Sequence, residues 1–415
     1  MGFAVRIALV SEHASPLAAI GGVDAGGQNV HVAELAAGLV RLGHSVSVYT
    51  RLDNADLAER VSTSTGYEVV HVPAGPAAPV PKDDLWPHMA AFGDHLTEML
   101  KFQQPDVVHA HFWMSAWAAA RSVRRLNLPL VVTFHALGSV KRRYQGPADT
   151  SPLNRIRVEV AVARAADRIV ATATEEVREL ALLGVPSSKV AVVPCGVDLE
   201  HFTPSPRSGS PSVPKRSCRY RLLSVGRLVP RKGYEIIIEA LTWLPETELL
   251  IAGGAGGADS TREPEHERLA AVAHGLGVAD RVRLVGQIAR ADMPALLRSA
   301  DLVVCSPWYE PFGIVPLEAM ACGVPVVASA VGGMLDTVVD GVTGTLVTPR
   351  DPVALAEVVG ALLEAPSRRA KFAQAGLDRV RNCYSWDRVA ADTAAVYHQT
   401  ARSQDAGHAM SAPLG

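Results

Sequence analysis

Two short, wholly apolar runs, Leu302–Cys305 and Val324–Ala328, stand one helix-length apart. A run of that kind reads as a strand covered on both faces, and two of them joined by a helix form a parallel pair. Between them lies W-Y-E-P-F-G-I-V-P-L-E-A-M-A-C-G, Trp308 to Gly323. Gly313 to Cys322 carries helix-forming residues, Gly323 supplies a C-terminal stop, and Pro316 falls in the first turn, where a missing N–H costs nothing. The helix therefore opens its free amides at Phe312, Gly313, Ile314 and Val315. Unpaired amides and the helix dipole together favour an anion at that point.

Glu310 sits on the loop beside this opening, and Glu318 lies further into the helix. Two carboxylates flanking an anion site suit a ligand with hydroxyls on both sides of its phosphates, as a nucleotide sugar has. Glu318 is set among Val315, Leu317, Ala319 and Met320, where a carboxylate without a task is uncommon.

With 415 residues the chain is longer than a usual single domain, so two are expected. A net charge of −2 gives no general attraction to nucleic acid. The five cysteines form no Cys-x-x-Cys pair, and Cys305 and Cys322 sit in apolar runs. That pattern fits buried thiols in a reducing cytoplasm rather than a disulfide framework or a zinc site. Val5–Val10 is too short for a signal sequence or a membrane span and reads as a first strand.

From there the chain alternates. A loop with glycines at 21–22 and 26–27 leads to a helix over 28–42 and a strand over 45–50, a βαβ unit. The loop is not G-x-G-x-x-G, and Arg51 and Leu52 stand where a dinucleotide ribose would want an acid, which argues against a dehydrogenase. Gly26 and Gly27 instead let backbone amides approach an anion at the helix start. Strands are expected at 67–72, 106–110, 130–134, 168–173 and 190–193, with helices over 84–104, 113–126, 153–166 and 175–183. His135 follows a strand, at the end where parallel sheets gather ligands. His109 and His111 are expected to face opposite ways, leaving at most one directed at a ligand.

Residues 203–217 contain four prolines and five serines and read as a linker. A second series follows, with strands at 221–225, 249–252, 283–285, 302–305 and 324–328, then helices over 352–364, 368–382 and 386–399. The expected organisation is an N-terminal domain over 1–203, a linker over 204–219 and a second domain over 220–385. Helix 386–400 would pack back on the first domain, and 401–415 would form a disordered tail.

The loop S-V-G-R-L-V-P-R-K-G, residues 224–233, places Arg227 and Lys232 above a strand end. As a glycosidic bond to a diphosphate breaks, charge gathers on the phosphate, and a guanidinium and an ammonium there stabilise the transition state. Charge-assisted bonds of this sort contribute roughly 1.5–3 kcal/mol each. The chain contains no Asp-x-Asp, so a positive clamp without obligatory metal is expected. The glycine loop 252–257 follows another strand and is weak evidence by itself. The basic residues Lys141, Arg142, Arg143, Arg121, Arg124 and Arg125 read as a solvated face. The alternative is a contact to an acceptor phosphate or an anionic membrane.

These strings together resemble the retaining glycosyltransferases of family 4, of GT-B fold. The likeness runs through G-G-V-D-A-G-G-Q-N-V, T-F-H, G-V-D, V-G-R-L-V-P-R-K-G and E-P-F-G-I-V-P-L-E-A-M-A-C-G-V-P-V-V-A. It implies α/β architecture with two Rossmann-like domains facing a cleft, a nucleoside-diphosphate sugar as co-substrate, and no obligatory cofactor or metal. It further implies Arg227 and Lys232 on the diphosphate, Glu310 near the donor sugar, Glu318 on the ribose and His135 near the transferred sugar. The leaving phosphate would take the acceptor proton.

The N-terminal half is most similar to the D-inositol-3-phosphate N-acetylglucosaminyltransferases of mycothiol biosynthesis. S-P-L, H-A-H-F-W-M-S-A and the R-x-x-x-E at Arg155–Glu159 carry that likeness. It implies an acceptor site with Asn29, Lys82, Phe112 and Arg155. Phe112 and Ala136 stand where that family has a tyrosine and a threonine, so two hydroxyl donors are missing.

The expected activity is cytoplasmic, metal-independent, retaining hexosyl transfer, with a UDP-sugar favoured, to a small acceptor that is phosphorylated or not. Glucosyl or mannosyl transfer to a sugar phosphate or a lipid-linked acceptor is the alternative. A sugar-nucleotide epimerase of the same fold and a non-catalytic sensor are the rivals from other classes. The expected partners are the nucleotide sugar and the acceptor, without nucleic acid or membrane anchoring, and a homodimer is left open.

Overall fold

The computed structural model describes residues 4–18, 26–205, 213–254 and 263–411. Gly21, Gly22, residues 255–257 of the second glycine loop, the middle of the expected linker and residues 412–415 lie outside them. The chain divides into two units, one formed by 1–195 with 386–415 and the other by 196–385.

The first unit begins β1 (Arg6–Val10), α1 (Gly27–Arg41), β2 (Ser45–Arg51), β3 (Arg60–Ser62), β4 (Glu68–Val72), α2 (Met89–Gln103) and β5 (Val107–His111). It continues α3 (Trp113–Leu126), β6 (Leu130–Thr133), α4 (Gly138–Gln145), α5 (Arg155–Ala165), β7 (Arg168–Ala171), α6 (Thr174–Leu182) and β8 (Val190–Val192). The sheet order is β3-β4-β2-β1-β5-β6-β7-β8, parallel except for the antiparallel edge strand β3. Its order reverses between β1 and β5, the place where open parallel sheets bind ligands.

The second unit begins β9 (Tyr220–Val225), α7 (Tyr234–Ala240), β10 (Thr247–Ala252), α8 (Pro264–Gly275), β11 (Val282–Gly286), α9 (Met293–Arg298) and β12 (Leu302–Cys305). After these come α10 (Ile314–Ala321), β13 (Val326–Ser329), α11 (Met334–Thr337), β14 (Gly344–Val347), α12 (Pro352–Leu363) and α13 (Pro366–Cys383). The parallel order β11-β10-β9-β12-β13-β14 reverses between β9 and β12. The apolar runs are buried on both faces, as Val303, Val304, Val326 and Val327 show with no exposed surface. That burial is why they read as continuous rather than alternating.

The last helix, α14 (Trp386–Ser411), belongs to the first unit. Trp386, Val389, Ala390 and Tyr397 join the cluster of Val32, Leu35 and Leu39 from α1. A Cβ on Gly38 would stand 2.8 Å from that of Ala390, so the two helices approach closely at this point.

Several expectations are corrected. The helix expected over 84–104 starts only at Met89, after short 3-10 turns at Lys82–Asp84 and Trp86–His88, because Pro87 lacks a donor. The second unit begins at Gly196 rather than after 203, since Val197 and Phe202 are buried in its core. The far end of the expected linker is anchored as well, with Arg216 on Asp301 at 2.7 Å and the Ser217 amide donating to Glu248. The tail is helical to Ser411, consistent with helix formers such as Arg402, Gln404 and Ala406. The helix α4 and the strand β14 were not anticipated.

Candidate active site

In the second unit the loops after β9 and β12, on either side of the order reversal, are tied together. The Trp308 amide donates to the Arg231 carbonyl at 2.8 Å, and Ser306 Oγ donates to the Gly233 carbonyl at 2.7 Å. Gly233 holds a left-handed backbone (φ +66°), and a Cβ there would lie 2.1 Å from the Ser306 carbonyl oxygen. Only glycine permits that approach. It follows the 3-10 turn Pro230–Lys232, which aims Lys232 so that Nζ donates to Glu310 Oε2 at 2.6 Å.

Glu310 is 9% exposed. Burial pushes its carboxyl upward. The Lys232 ammonium, the Arg231 guanidinium and the Phe312 amide more than offset this and hold it below the usual carboxylate range. The loop is also gripped from the turn between β13 and α11, where the Gly333 amide donates to the Glu310 carbonyl at 2.8 Å. A Cβ on Gly332 (φ +48°) would come within 2.2 Å of that carbonyl oxygen.

The helix α10 starts directly after this loop, with Gly313 as its N-cap. The amides of Ile314 and Val315 lie in its first turn, where no preceding carbonyl of the helix can accept from them. Glu318, one turn on, is partly buried and makes no side-chain hydrogen bond among the described residues. Burial pushes its carboxyl up to about 7, against the pull of Arg290. Lys232, Glu310, the α10 opening and Glu318 are therefore brought together at one sheet end. Arg227 is exposed on the same loop as Lys232.

The first unit has its own strand-end cluster at the β1/β5 reversal. Glu12, 1% exposed, holds His13 Nδ1 at 2.7 Å and accepts from Ser115 Oγ, while its amide donates to Ser115 Oγ at 2.9 Å. His13 packs edge-on against Phe112, with ring centroids 4.8 Å apart. Phe112 is the N-cap of α3 and holds φ +83°. Lys82 Nζ lies 5.7 Å and Arg155 Cζ 5.1 Å from its ring centre, contacts in which cations meet the electron-rich face of the ring.

Two of the expected acceptor residues are committed to the fold. Arg155 is 2% exposed, and Nε, Nη1 and Nη2 donate to Glu159, Ser151 Oγ and the Ala136 carbonyl. Asn29 is 4% exposed; its Oδ1 accepts from the Gly26 amide and its Nδ2 donates to the Ser15 carbonyl, which caps α1. Gly27 is the first residue of α1, and no described atom lies within 4 Å of a Cβ built on Gly26.

His135 lies just beyond β6, 3% exposed, with φ +61°. Its Nε2 is 2.9 Å from Nδ1 of His111. His109 and His111 do not face opposite ways, since their ring centroids are 4.2 Å apart. Residues two apart on a strand share a face, so their spacing pointed to this arrangement. His111 was missed as a site residue for that reason. Glu12, Ser115, Arg231 and Gly332–Gly333 were missed too. The S-E-H after the first strand and the G-G after Val331 were the available signals.

Five of the six residues of the basic face pair with acids. Arg121 and Arg125 both meet Asp94, Lys141 and Arg142 meet Asp149, and Arg143 meets Glu179.

Comparison with known proteins gives the class. The family described as Glycosyl transferases group 1 matches residues 210–379, and Glycosyltransferase Family 4 matches residues 25–201. The chain belongs to the family 4 glycosyltransferases of GT-B fold. Within that group it is 38% identical to a D-inositol 3-phosphate glycosyltransferase of Xylanimonas cellulosilytica, over 97% of this chain and 98% of the relative. It is 36% identical to D-inositol 3-phosphate glycosyltransferase 2 of Catenulispora acidiphila, over 95% of each. Among solved structures, sucrose-phosphate synthase from Thermosynechococcus elongatus superposes with a TM-score of 0.84 at 30% identity, covering 95% of this chain and 98% of that one. Anabaena HepE, solved with UDP and glucose, shares the fold with a TM-score of 0.73 at 22% identity, over 94% of this chain and 99% of its own. Among the described residues no helix is long and apolar enough to cross a membrane.

Proposed function

We propose that this glycosyltransferase is a retaining, metal-independent hexosyltransferase that uses a nucleoside-diphosphate sugar, with UDP-sugars favoured. The observation that carries the reading is the α10 opening, with the Lys232–Glu310 pair on the loop before it and the partly buried Glu318 carboxylate within the helix. The Ile314 and Val315 amides and Lys232, with Arg227, take the diphosphate. Glu318 accepts from the ribose hydroxyls, and Glu310 accepts from hydroxyls of the donor sugar. As the C1–O bond to the diphosphate breaks, the acceptor oxygen bonds to C1 on the same face and its proton passes to the leaving phosphate oxygen. His135 contacts the transferred sugar, and Lys82 and Phe112 border the acceptor.

An inositol phosphate is the leading acceptor, on the strength of the relatives above. A sugar phosphate is the second reading, favoured by the likeness to sucrose-phosphate synthase. Calorimetric titration of UDP, GDP, ADP and NAD without added metal tests the donor. One nucleoside diphosphate should bind alone, and NAD binding in its absence would overturn the reading. Product anomer analysis by NMR then tests retention, and release of an isomerised nucleotide sugar without acceptor would favour the epimerase.

A further inference from the structure

Two cations converge on one carboxylate oxygen in the second unit. Lys232 Nζ lies 2.6 Å and Arg231 Nη1 3.9 Å from Glu310 Oε2, and the three side chains are mostly buried. The first contact is a hydrogen bond, and the second is about an ångström too long for one. Arg231 Nη1 is buried and makes no hydrogen bond among the described residues. A buried guanidinium donor left in this way is uncommon. Here the acceptor that would satisfy it is in reach but taken by Lys232. The guanidinium stands over the Tyr309 ring, with Cζ 5.2 Å from the ring centre, a contact that holds it beside the loop.

Charge indicates what the spare donor is for. Two cations around one carboxylate leave one positive charge over. Tyr234 and Cys305 also stand near Glu310, but burial raises both, Cys305 to about 12, so neither is charged near neutral pH. Burial pushes the Glu310 carboxyl upward as well, and Lys232 and then Arg231 offset it. Once a diphosphate shares the Lys232 ammonium, Lys232 no longer neutralises Glu310 alone, and the diphosphate brings like charge to a buried carboxylate. We propose that Arg231 is a positioning residue that closes on the Glu310 carboxylate as the diphosphate claims Lys232, so that Glu310 remains an ionised acceptor for the donor-sugar hydroxyls. The closure needs only about an ångström of side-chain movement. The loops can stay as they are, tied by the Trp308 amide on the Arg231 carbonyl at 2.8 Å. This rests on the reading that Lys232 holds the diphosphate and Glu310 the donor sugar.

Proton uptake on binding UDP, from titration calorimetry of the full chain near pH 7 in buffers of different ionisation enthalpy, reads the state of Glu310. R231M keeps an apolar contact for Tyr309 but no charge, and should take up at least about half a proton more per UDP than the wild type. R231K restores the charge and should match the wild type. R231Q is uncharged too and should follow R231M, which keeps the test open should R231M not fold. The excess should vanish in R231M/E310Q. A role confined to packing would change the stability of R231M without changing its proton count. Equal uptake by the wild type and the uncharged variants would overturn the proposal. So would an excess in R231K as large as in R231M, or one that persists in R231M/E310Q. Loss of UDP binding by folded R231M would also overturn it, placing Arg231 on the diphosphate instead. A wild type that binds no UDP would remove the donor reading beneath it, an outcome distinct from equal uptake.

Discussion

Lys232 Nζ and Glu310 Oε2 lie 2.6 Å apart, on loops that leave the two strands flanking the reversal of the second sheet. The pair therefore supports both the local fold and the proposed chemistry. Removing one member of such a buried pair leaves an uncompensated charge, at a cost of about 3 kcal/mol. Glu310→Gln should lower the thermal midpoint at neutral pH. The folded carboxyl is held below its unfolded value of about 4.3. Its stabilisation is thus present above that value and lost as pH falls through the lower folded one. Scanning calorimetry from neutral to acid pH should show the gap between wild type and E310Q closing there. Lys232→Ala should reduce transfer by at least about ten-fold.

Glu318 has the opposite sign. Its folded carboxyl titrates at about 7, above the unfolded value, so its ionisation opposes folding, and the cost grows as pH rises between the two values. Glu318→Gln should raise the thermal midpoint at alkaline pH while weakening nucleotide-sugar binding. Affinity of the wild type for the diphosphate should rise from about pH 6 to about pH 8 as the carboxylate forms, and E318Q should show no such rise. Calorimetric titrations at both pH values check this.

Gly332→Ala tests the grip on the Glu310 loop. The left-handed backbone alone costs roughly 1–2 kcal/mol for alanine, and the new Cβ would collide with the Glu310 carbonyl. Gly341, with φ +71° and open space around it, supplies the strain without the collision. G332A should lose both stability and transfer, whereas G341A should lose only the smaller increment of stability due to strain, about 1–2 kcal/mol, and keep its turnover.

Arg155→Gln should act on the fold. With its donors on Glu159, Ser151 and Ala136, its loss leaves Glu159 buried on the Gly138 amide without its ion-pair partner. A drop of about 3 kcal/mol in unfolding free energy is expected, measured by urea denaturation. A selective rise in acceptor KM without that drop would restore Arg155 to the acceptor site.

The arrangement of the second unit's candidate site was legible because its parts are local. The turn-setting Gly233, the Lys232 cation and the E-x7-E spacing each lie within one loop or one helix, and local spacing is what a sequence displays. The first unit's site was harder to read. Arg155 and Asn29 carry polar groups of the right kind, but those groups are engaged, by Ser151, Glu159 and Gly26 three or four residues away and by the Ala136 and Ser15 carbonyls further off. The i, i+4 spacing of Arg155 and Glu159 was a local signal of that engagement. His109 and His111 were misread through strand parity, although that information was present in the sequence. The final helix could be placed as an element, while its continuation beyond residue 400 depended on propensities too weak to read against a terminal position.

The return of α14 to the first unit has a consequence for synthesis. Tyr397 on His109, Trp386 against His31 and Ala390 under Gly38 are all supplied by this last helix. The internal second unit has all its residues before the ribosome reaches them, so in vectorial folding the half that leads the chain is completed last. A stop codon placed just before Trp386 would therefore damage the histidine cluster of the first unit, while leaving the Lys232–Glu310 unit its full complement of residues.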